Sequence, residues 1–253
     1  CLTLIRTKGG ETYYFDGENY FRMYVFIERA TSYQTVRDAK DFYESAVAFG
    51  NFANLLSEFD ASQLYEVLPN FHNTKVRYRN FLAAVEKDVC GRAKEVEREI
   101  EWVKAHSSLS GKLVDAIASG EIPLRVTHND TKLNNVMLDD ATGKGIAVID
   151  LDTVMPGSLC YDFGDSIRFG CNTAAEDEPD LEKVHFDLGL YKVYLKGYLS
   201  AVGKGITEAE KKALPLGAVL MTYECGMRFL TDYLEGDTYF RTHREKQNLD
   251  RAH

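Results

Sequence analysis

The stretch Val126-Thr127-His128-Asn129-Asp130-Thr131-Lys132-Leu133-Asn134-Asn135-Val136-Met137-Leu138-Asp139 constrains this chain more than any other. Two short apolar runs, Val136 to Leu138 and Ile146 to Ile149, flank a turn-rich segment holding Gly143 and Gly145. That pattern predicts a β-hairpin. Asp130 and Asn135 precede its first strand, and Asp150 ends its second. A hairpin brings its open ends together, so these three side chains are expected to share one small volume. Oxygen donors meeting there suit a hard divalent cation and a hydroxyl awaiting deprotonation. The plainer alternative is a polar hairpin whose Asp and Asn residues only make turns. It leaves unexplained why the polar residues gather at one end of two apolar strands.

The spacing sharpens the expectation. His-x-Asp followed by Asn five residues after the Asp is the catalytic-loop pattern of kinases, in which the Asp faces the acceptor hydroxyl and the Asn holds Mg²⁺. A second Asp beyond the next strand would bridge Mg²⁺ to nucleotide phosphates. Asp130 is therefore the expected base, and Asn135 and Asp150 are the expected Mg²⁺ ligands. Asp162-Phe163-Gly164 spells the protein-kinase magnesium motif, but it lies too far from Asn135 and does not follow a strand directly. Asp150 has the hairpin position. Asp152 is expected to be solvated, and His128 to brace the loop by hydrogen bonding. For Lys132, contact with a phosphate and exposure to solvent are both open.

Three strings carry a resemblance: His128-Asn129-Asp130-Thr131-Lys132-Leu133-Asn134-Asn135, Val148-Ile149-Asp150-Leu151-Asp152-Thr153-Val154-Met155-Pro156-Gly157, and Tyr161-Asp162-Phe163-Gly164-Asp165-Ser166-Ile167-Arg168. They resemble the N-acetylhexosamine 1-kinases, within the aminoglycoside phosphotransferase and choline kinase superfamily. The similarity runs from about Tyr14 to Ala252. It implies an α+β, protein-kinase-like fold: residues 1–30 as a remnant of the nucleotide-covering N-lobe and hinge, and 31–253 as a mainly helical C-lobe with the catalytic hairpin. It also implies ATP and Mg²⁺ as cofactors and an N-acetylglucosamine or N-acetylgalactosamine acceptor, phosphorylated at its anomeric hydroxyl. By the same resemblance Ile27 to Ala30 would be the hinge that meets adenine, and Asp162 would accept hydrogen bonds from the catalytic-loop backbone. Arg228 and Tyr239 would line the sugar pocket with Asp130 on the anomeric hydroxyl, and Phe169 would line the nucleotide or sugar side. No glycine-rich phosphate loop or phosphate-pairing lysine strand precedes the hinge, so the chain is expected to be a fragment whose N-lobe is incomplete.

Composition only narrows the class. A net charge of −9 argues against a general nucleic-acid binder but not against a nucleotide. The five cysteines, Cys1, Cys90, Cys160, Cys171 and Cys225, are scattered, without the spacing of a zinc cluster or a disulfide framework. No apolar run is long enough for a bilayer, and no signal peptide is evident, so the cytoplasm is the default location. Oligomeric state is not legible.

Elsewhere, Thr12 to Phe15 and Tyr20 to Ile27 predict a hairpin. Three- and four-residue apolar steps predict helices over Ala39–Phe59, Lys75–His106, Ser108–Ser119 and Leu181–Leu199. Thr207-Glu208-Ala209-Glu210 is a capping box, and Pro215 should break or kink the helix that it opens before Leu216–Leu234 resumes. His72, in a loop, has no partner at a metal-ligand spacing. The alternatives are a kinase for a cationic acceptor, such as an aminoglycoside or choline, and a non-catalytic nucleotide binder. A sulfatase would need a Cys-x-Pro-x-Arg context or its serine counterpart, and no cysteine has it.

Overall fold

The computed structural model describes residues 2–253, so Cys1 lies outside the described residues. Four two-residue strands open the chain: β1 (Leu4–Ile5), β2 (Tyr14–Phe15), β3 (Tyr20–Phe21) and β4 (Met23–Tyr24). The expected hairpin is present as β2 and β3, its turn closed by the Asp16 carboxylate accepting from the backbone N–H of Asn19 at 2.7 Å and Glu18 at 2.9 Å. The strand expected over 20–27 is corrected. It breaks at Arg22, which reaches across to pair with Asp152, and β4 pairs instead with β1.

The expected hinge also forms structure of its own. Its last residue begins β5 (Ala30–Thr31), which later joins the catalytic hairpin as a third strand. Helix α1 (Ala39–Leu55) follows, with Asp38 as N-cap accepting from the Asp41 N–H.

The helical region expected over 75–106 divides into α2 (Thr74–Lys87) and α3 (Glu97–Ala105). The break is at Asp88, which takes the left-handed conformation at φ 39° and accepts from the Ala93 N–H at 2.9 Å. An Asp tolerates that conformation better than most residues, so α2 has a natural stop that apolar periodicity does not register. Next come α4 (Lys112–Ala118), β6 (Arg125–Thr127), β7 (Val136–Asp139), β8 (Gly145–Val148) and β9 (Met155–Gly157). Helices α5 (Leu159–Gly170), α6 (Leu188–Val202), α7 (Glu208–Leu234) and α8 (Gln247–Ala252) complete the chain.

Two further expectations are corrected. The helix read as 181–199 starts only at Leu188, where Asp187 caps it by accepting from the Leu190 N–H. Pro215 lies inside α7 rather than ending it. Its missing N–H forfeits one helical bond, but α7 packs along α5 on one side and α2 on another, and that burial holds the helix together. The capping box at Thr207 and Glu210 is present as read.

One core lies where α1, α5, α6 and α7 meet, around Phe42, Phe163, Tyr194, Tyr198, Leu214 and Met221. A second joins α2, α3, α7 and α8 around Phe81, Ile100, Met227 and Leu249. Helix α7 belongs to both. Among the described residues Cys90, Cys160, Cys171 and Cys225 are free thiols, and no helix is long and apolar enough to cross a membrane.

Strand pairing positions the site. Strand β7 pairs antiparallel with β8 and with β5, whereas β6 pairs antiparallel with β9. The segment from β6 to β7 and the segment from β8 to β9 must therefore run side by side. Those are the segments that carry Asp130 and Asn135 on one hand and Asp150 on the other.

Candidate active site

The loop that follows β6 is held from below by α5. The Asp162 carboxylate accepts from the backbone N–H groups of Asn129 at 2.7 Å and His128 at 2.8 Å. One turn further on, Asp165 accepts from the Thr131 N–H at 3.0 Å. Thr131 in turn donates its hydroxyl to the Asp162 carbonyl, and its own carbonyl accepts from Ser166 Oγ at 2.7 Å. Asp162 thus sits in the first turn of α5 with both oxygens committed to backbone donors, which separates it from the magnesium role that its Asp-Phe-Gly context would suggest. Phe163 beside it packs edge-on against Tyr191, Tyr194 and Tyr198. Burial pushes the Asp162 carboxyl above the usual carboxylate range, against the pull of His128 and the two backbone donors.

His128 is fully buried between the edges of Phe49 and Phe52. Its Nδ1 accepts from the Asp130 N–H at 3.3 Å, so its Nε2 carries the hydrogen and donates to the Ile149 carbonyl at 2.9 Å. The Ile149 N–H donates to the Asn135 carbonyl at 2.9 Å. Ile149 is the residue before Asp150, so the two segments are stitched together at the hairpin mouth. Asn129 and Asp150 both have positive φ, 66° and 57°, which Asn and Asp tolerate. Asn129 uses its side chain to bind the Thr153 carbonyl at 2.9 Å and to accept from Thr127 Oγ1 at 2.9 Å. A Cβ at Gly157 would sit 2.2 Å from that Thr127 Oγ1, so β9 closes against this network only because residue 157 has no side chain.

Asp130 is half-buried at the centre. Its Oδ1 pairs with Lys132 Nζ at 2.9 Å, and its Oδ2 accepts from Asn135 Nδ2 at 3.1 Å. Asn135 Nδ2 also donates to the Asp130 carbonyl at 2.7 Å, which fixes the amide orientation and turns its Oδ1 away. Burial pulls the Lys132 ammonium down, but the Asp130 and Asp165 carboxylates outweigh it and leave the group above its ordinary value. Lys132 is thus a partner of Asp130. Asp152, by contrast, is exposed and paired with Arg22.

A divalent cation fits what remains. Among the described residues Asn135 Oδ1 has no hydrogen-bond partner, and the exposed Asp150 carboxylate has neither hydrogen bond nor ion pair. No three His, Cys, Asp or Glu side chains cluster among the described residues to cage a metal by themselves. One carboxylate and one amide oxygen, completed by substrate phosphates and water, is the donor set that Mg²⁺ prefers.

On the other side of the loop Arg228, on α7, lies 5.4 Å from the Phe71 ring, 5.9 Å from Tyr239 and 5.3 Å from Phe240. Arg228 and Tyr239, far apart in sequence from Asp130, are therefore neighbours of each other. Tyr239 is held there by a residue that sequence reading missed. The buried Asp232 carboxylate accepts from the backbone N–H groups of Tyr239 at 2.8 Å, Thr238 at 2.9 Å and Phe240 at 3.0 Å. Arg77 lies close by, half-buried, and burial together with the Arg228 charge pulls its guanidinium below the ordinary value. Phe169 is half-buried on α5, four residues beyond Asp165 and so on the face that holds the loop.

His72 was also missed. Its Nδ1 meets Glu224 Oε1 at 2.9 Å and its Nε2 meets the Asn129 carbonyl at 3.2 Å. No local signal marks it, because Glu224 is 152 residues away. Asp165 did have one: it follows Asp162 by three residues on the same helix face.

Residues 6–195 match the phosphotransferase enzyme family. Among solved structures, an ethanolamine kinase from Plasmodium vivax superposes with a TM-score of 0.58 at 14% identity, over 94% of this chain and 65% of that one. A microcompartment-associated aminopropanol kinase superposes with a TM-score of 0.57 at 14% identity, over 99% and 71%. An ADP-bound aminoglycoside phosphotransferase superposes with a TM-score of 0.52 at 16% identity, over 95% and 72%. The chain thus spans about two thirds of the length of these structures, and at such identity they share its fold. On its fold and on the match over residues 6–195, the chain belongs to the phosphotransferase enzyme family.

Proposed function

We propose that this chain is the acceptor-binding and catalytic part of an ATP- and Mg²⁺-dependent kinase that phosphorylates the anomeric hydroxyl of an N-acetylhexosamine. The observation that carries the reading is the set of uncommitted oxygens at the hairpin mouth. Asn135 Oδ1 and the Asp150 carboxylate face no protein partner among the described residues, while Asp130, beside Asn135, is oriented by Asn135 and Lys132. Asp130 orients the acceptor hydroxyl and takes its proton as the oxygen attacks the γ-phosphorus and the bond to ADP breaks. Bound Mg²⁺ would neutralise charge on the phosphate oxygens. Lys132 pairs with Asp130 and fixes its rotamer. In this reading Phe169 borders the nucleotide or the sugar.

The acceptor class rests on charge. The ethanolamine and aminopropanol kinases are named for amines, which are cationic at neutral pH. Here Arg228 and Arg77 cluster with Phe71, Tyr239 and Phe240, and this reading takes that cluster as the acceptor side. Two guanidinium groups repel an ammonium but donate well to hydroxyl and acetamido oxygens, and the aromatic rings offer flat faces to a sugar. That combination favours a neutral amidosugar over ethanolamine, choline or an aminoglycoside.

The test is an acceptor panel on the full-length protein, scored by ADP release and by the phosphorylated product. It compares N-acetylglucosamine, N-acetylgalactosamine, ethanolamine, choline and an aminoglycoside, with ATP and Mg²⁺. Sugar 1-phosphate from an N-acetylhexosamine is the expected product. Turnover confined to the cationic acceptors would overturn the sugar assignment, and turnover of none would overturn the kinase assignment.

A further inference from the structure

Loop residue His72 occupies a position that the catalytic groups do not explain. Its ring stacks on Tyr161 of α5 with centroids 5.2 Å apart, and Phe71, beneath Arg228, meets it edge-on at 4.6 Å. One ring nitrogen faces Glu224 and the other faces the backbone carbonyl of Asn129, the residue before Asp130. Glu224 is fully buried on α7, four residues before Arg228 and thus on the same helix face. Its second oxygen, Oε2, accepts from Thr74 Oγ1 at the start of α2 at 2.5 Å.

Proton counting makes the arrangement specific. The Asn129 carbonyl can only accept, so His72 Nε2 must carry a hydrogen. The other ring nitrogen, Nδ1, faces the Glu224 carboxylate. Burial pushes the Glu224 carboxyl up, but the hydrogen bonds from His72 and Thr74 and the charge of Arg228 outweigh it and hold the group below its ordinary value. His72 thus joins the buried Glu224 carboxylate to the catalytic loop.

We propose that His72 is a positioning residue: a hydrogen-bonded bridge that fixes α7, with its acceptor-side Arg228, against the loop that carries Asp130. This inference rests on the kinase reading for its catalytic consequence only. The bridge sets the separation between the group that holds the acceptor and the group that deprotonates it. A displacement of about 1 Å between such groups costs on the order of 100-fold in rate. The remaining groups that face the pair are Arg77 of α2, Asp162 and Tyr161 of α5, and Cys225 of α7. None of them supplies a second link between Glu224 and Asn129.

The decisive experiment combines histidine nitrogen NMR with kinetics on the same protein. His72 Nε2 is expected to carry a hydrogen that exchanges slowly because the Asn129 carbonyl holds it, the signal being assigned by its loss in His72→Phe. In Glu224→Gln, which loosens the other end of the bridge, that hydrogen is expected to exchange faster. His72→Phe keeps the ring packing on Tyr161 and Phe71 and removes both ring nitrogens. Its kcat is expected to fall by about 10- to 100-fold with the nucleotide KM unchanged, and His72→Gln, which restores one donor, should recover part of the loss. A His72 Nε2 that carries no hydrogen or exchanges freely in the wild-type protein, or wild-type kcat in His72→Phe, would overturn the proposal. If His72→Phe does not fold, Glu224→Gln decides through the same two readouts. A wild-type protein that phosphorylates no N-acetylhexosamine sinks the acceptor assignment instead, and the ring nitrogens still decide this one.

Discussion

Asp130 is set up by its neighbours rather than by its own burial. Asn135 donates to Oδ2 and to the carbonyl, and Lys132 donates to Oδ1, so both carboxylate oxygens already face donors. In Asp130→Asn one of those oxygens becomes an NH₂ that opposes another donor, and the group can no longer take a proton. The fold has no stake in that charge, because Asp162, Asp165 and His128 hold the loop independently. Turnover of Asp130→Asn is expected to fall by about 10² to 10⁴ with an unchanged melting temperature. Full activity in the variant would remove Asp130 from the reaction. The contact between Asp130 and Asn135 was legible in sequence, since their spacing before one strand puts them at the same hairpin end. Asp232 was not, because a carboxylate that caps three backbone N–H groups in a neighbouring loop has no local pattern to betray it.

At the level of elements, the catalytic loop is only as well placed as α5, and α5 is placed by its close crossing with α7. A Cβ at Gly217 would lie 2.1 Å from the Cys160 carbonyl oxygen, and one at Gly164 would lie 2.3 Å from the Gly217 carbonyl oxygen. Both contacts are with backbone, so no side-chain rotation relieves them. Gly217→Ala must push the helices apart, at a cost of about 1–3 kcal/mol. The same shift carries Asp162 and Asp165 away from the backbone of His128, Asn129 and Thr131. Both the unfolding midpoint and kcat are therefore expected to drop, while Val219→Ala, an exposed position on the same helix, leaves both unchanged. Equal stability of Gly217→Ala and wild type would refute the close crossing. The elements themselves were legible where apolar periodicity and a cap agreed, as at α1 and the Thr207 capping box. The reading failed at Asp88 and Leu188, where a left-handed Asp and an Asp cap override a continuous apolar stripe.

Across the whole molecule, the buried carboxylate of Glu224 ties α2, α7 and the catalytic loop together through Thr74 and His72. Its folded pKa is depressed, so it favours folding above its ordinary value of 4.5, and that contribution is lost as pH falls through the lower folded value. Urea unfolding followed from about pH 6 to about pH 3 should show stability declining through this window, with a shallower decline in Glu224→Gln. Parallel pH profiles for the two proteins would show that Glu224 is not depressed.

The placement of residues at the hairpin mouth was written locally: a turn, two short strands and a fixed spacing bring the backbone of Asp130, Asn135 and Asp150 to one end, and nothing remote is needed to foresee it. Tertiary structure alone decided what steadies that mouth and what stands opposite it. Asp162 reaches the loop from 33 residues away, and His72 reaches Glu224 across 152. Arg228 meets Phe71 only because α7 packs against the start of α2. Contacts of that kind depend on which helix faces meet, and helix packing is set by the summed burial of many side chains rather than by any short string.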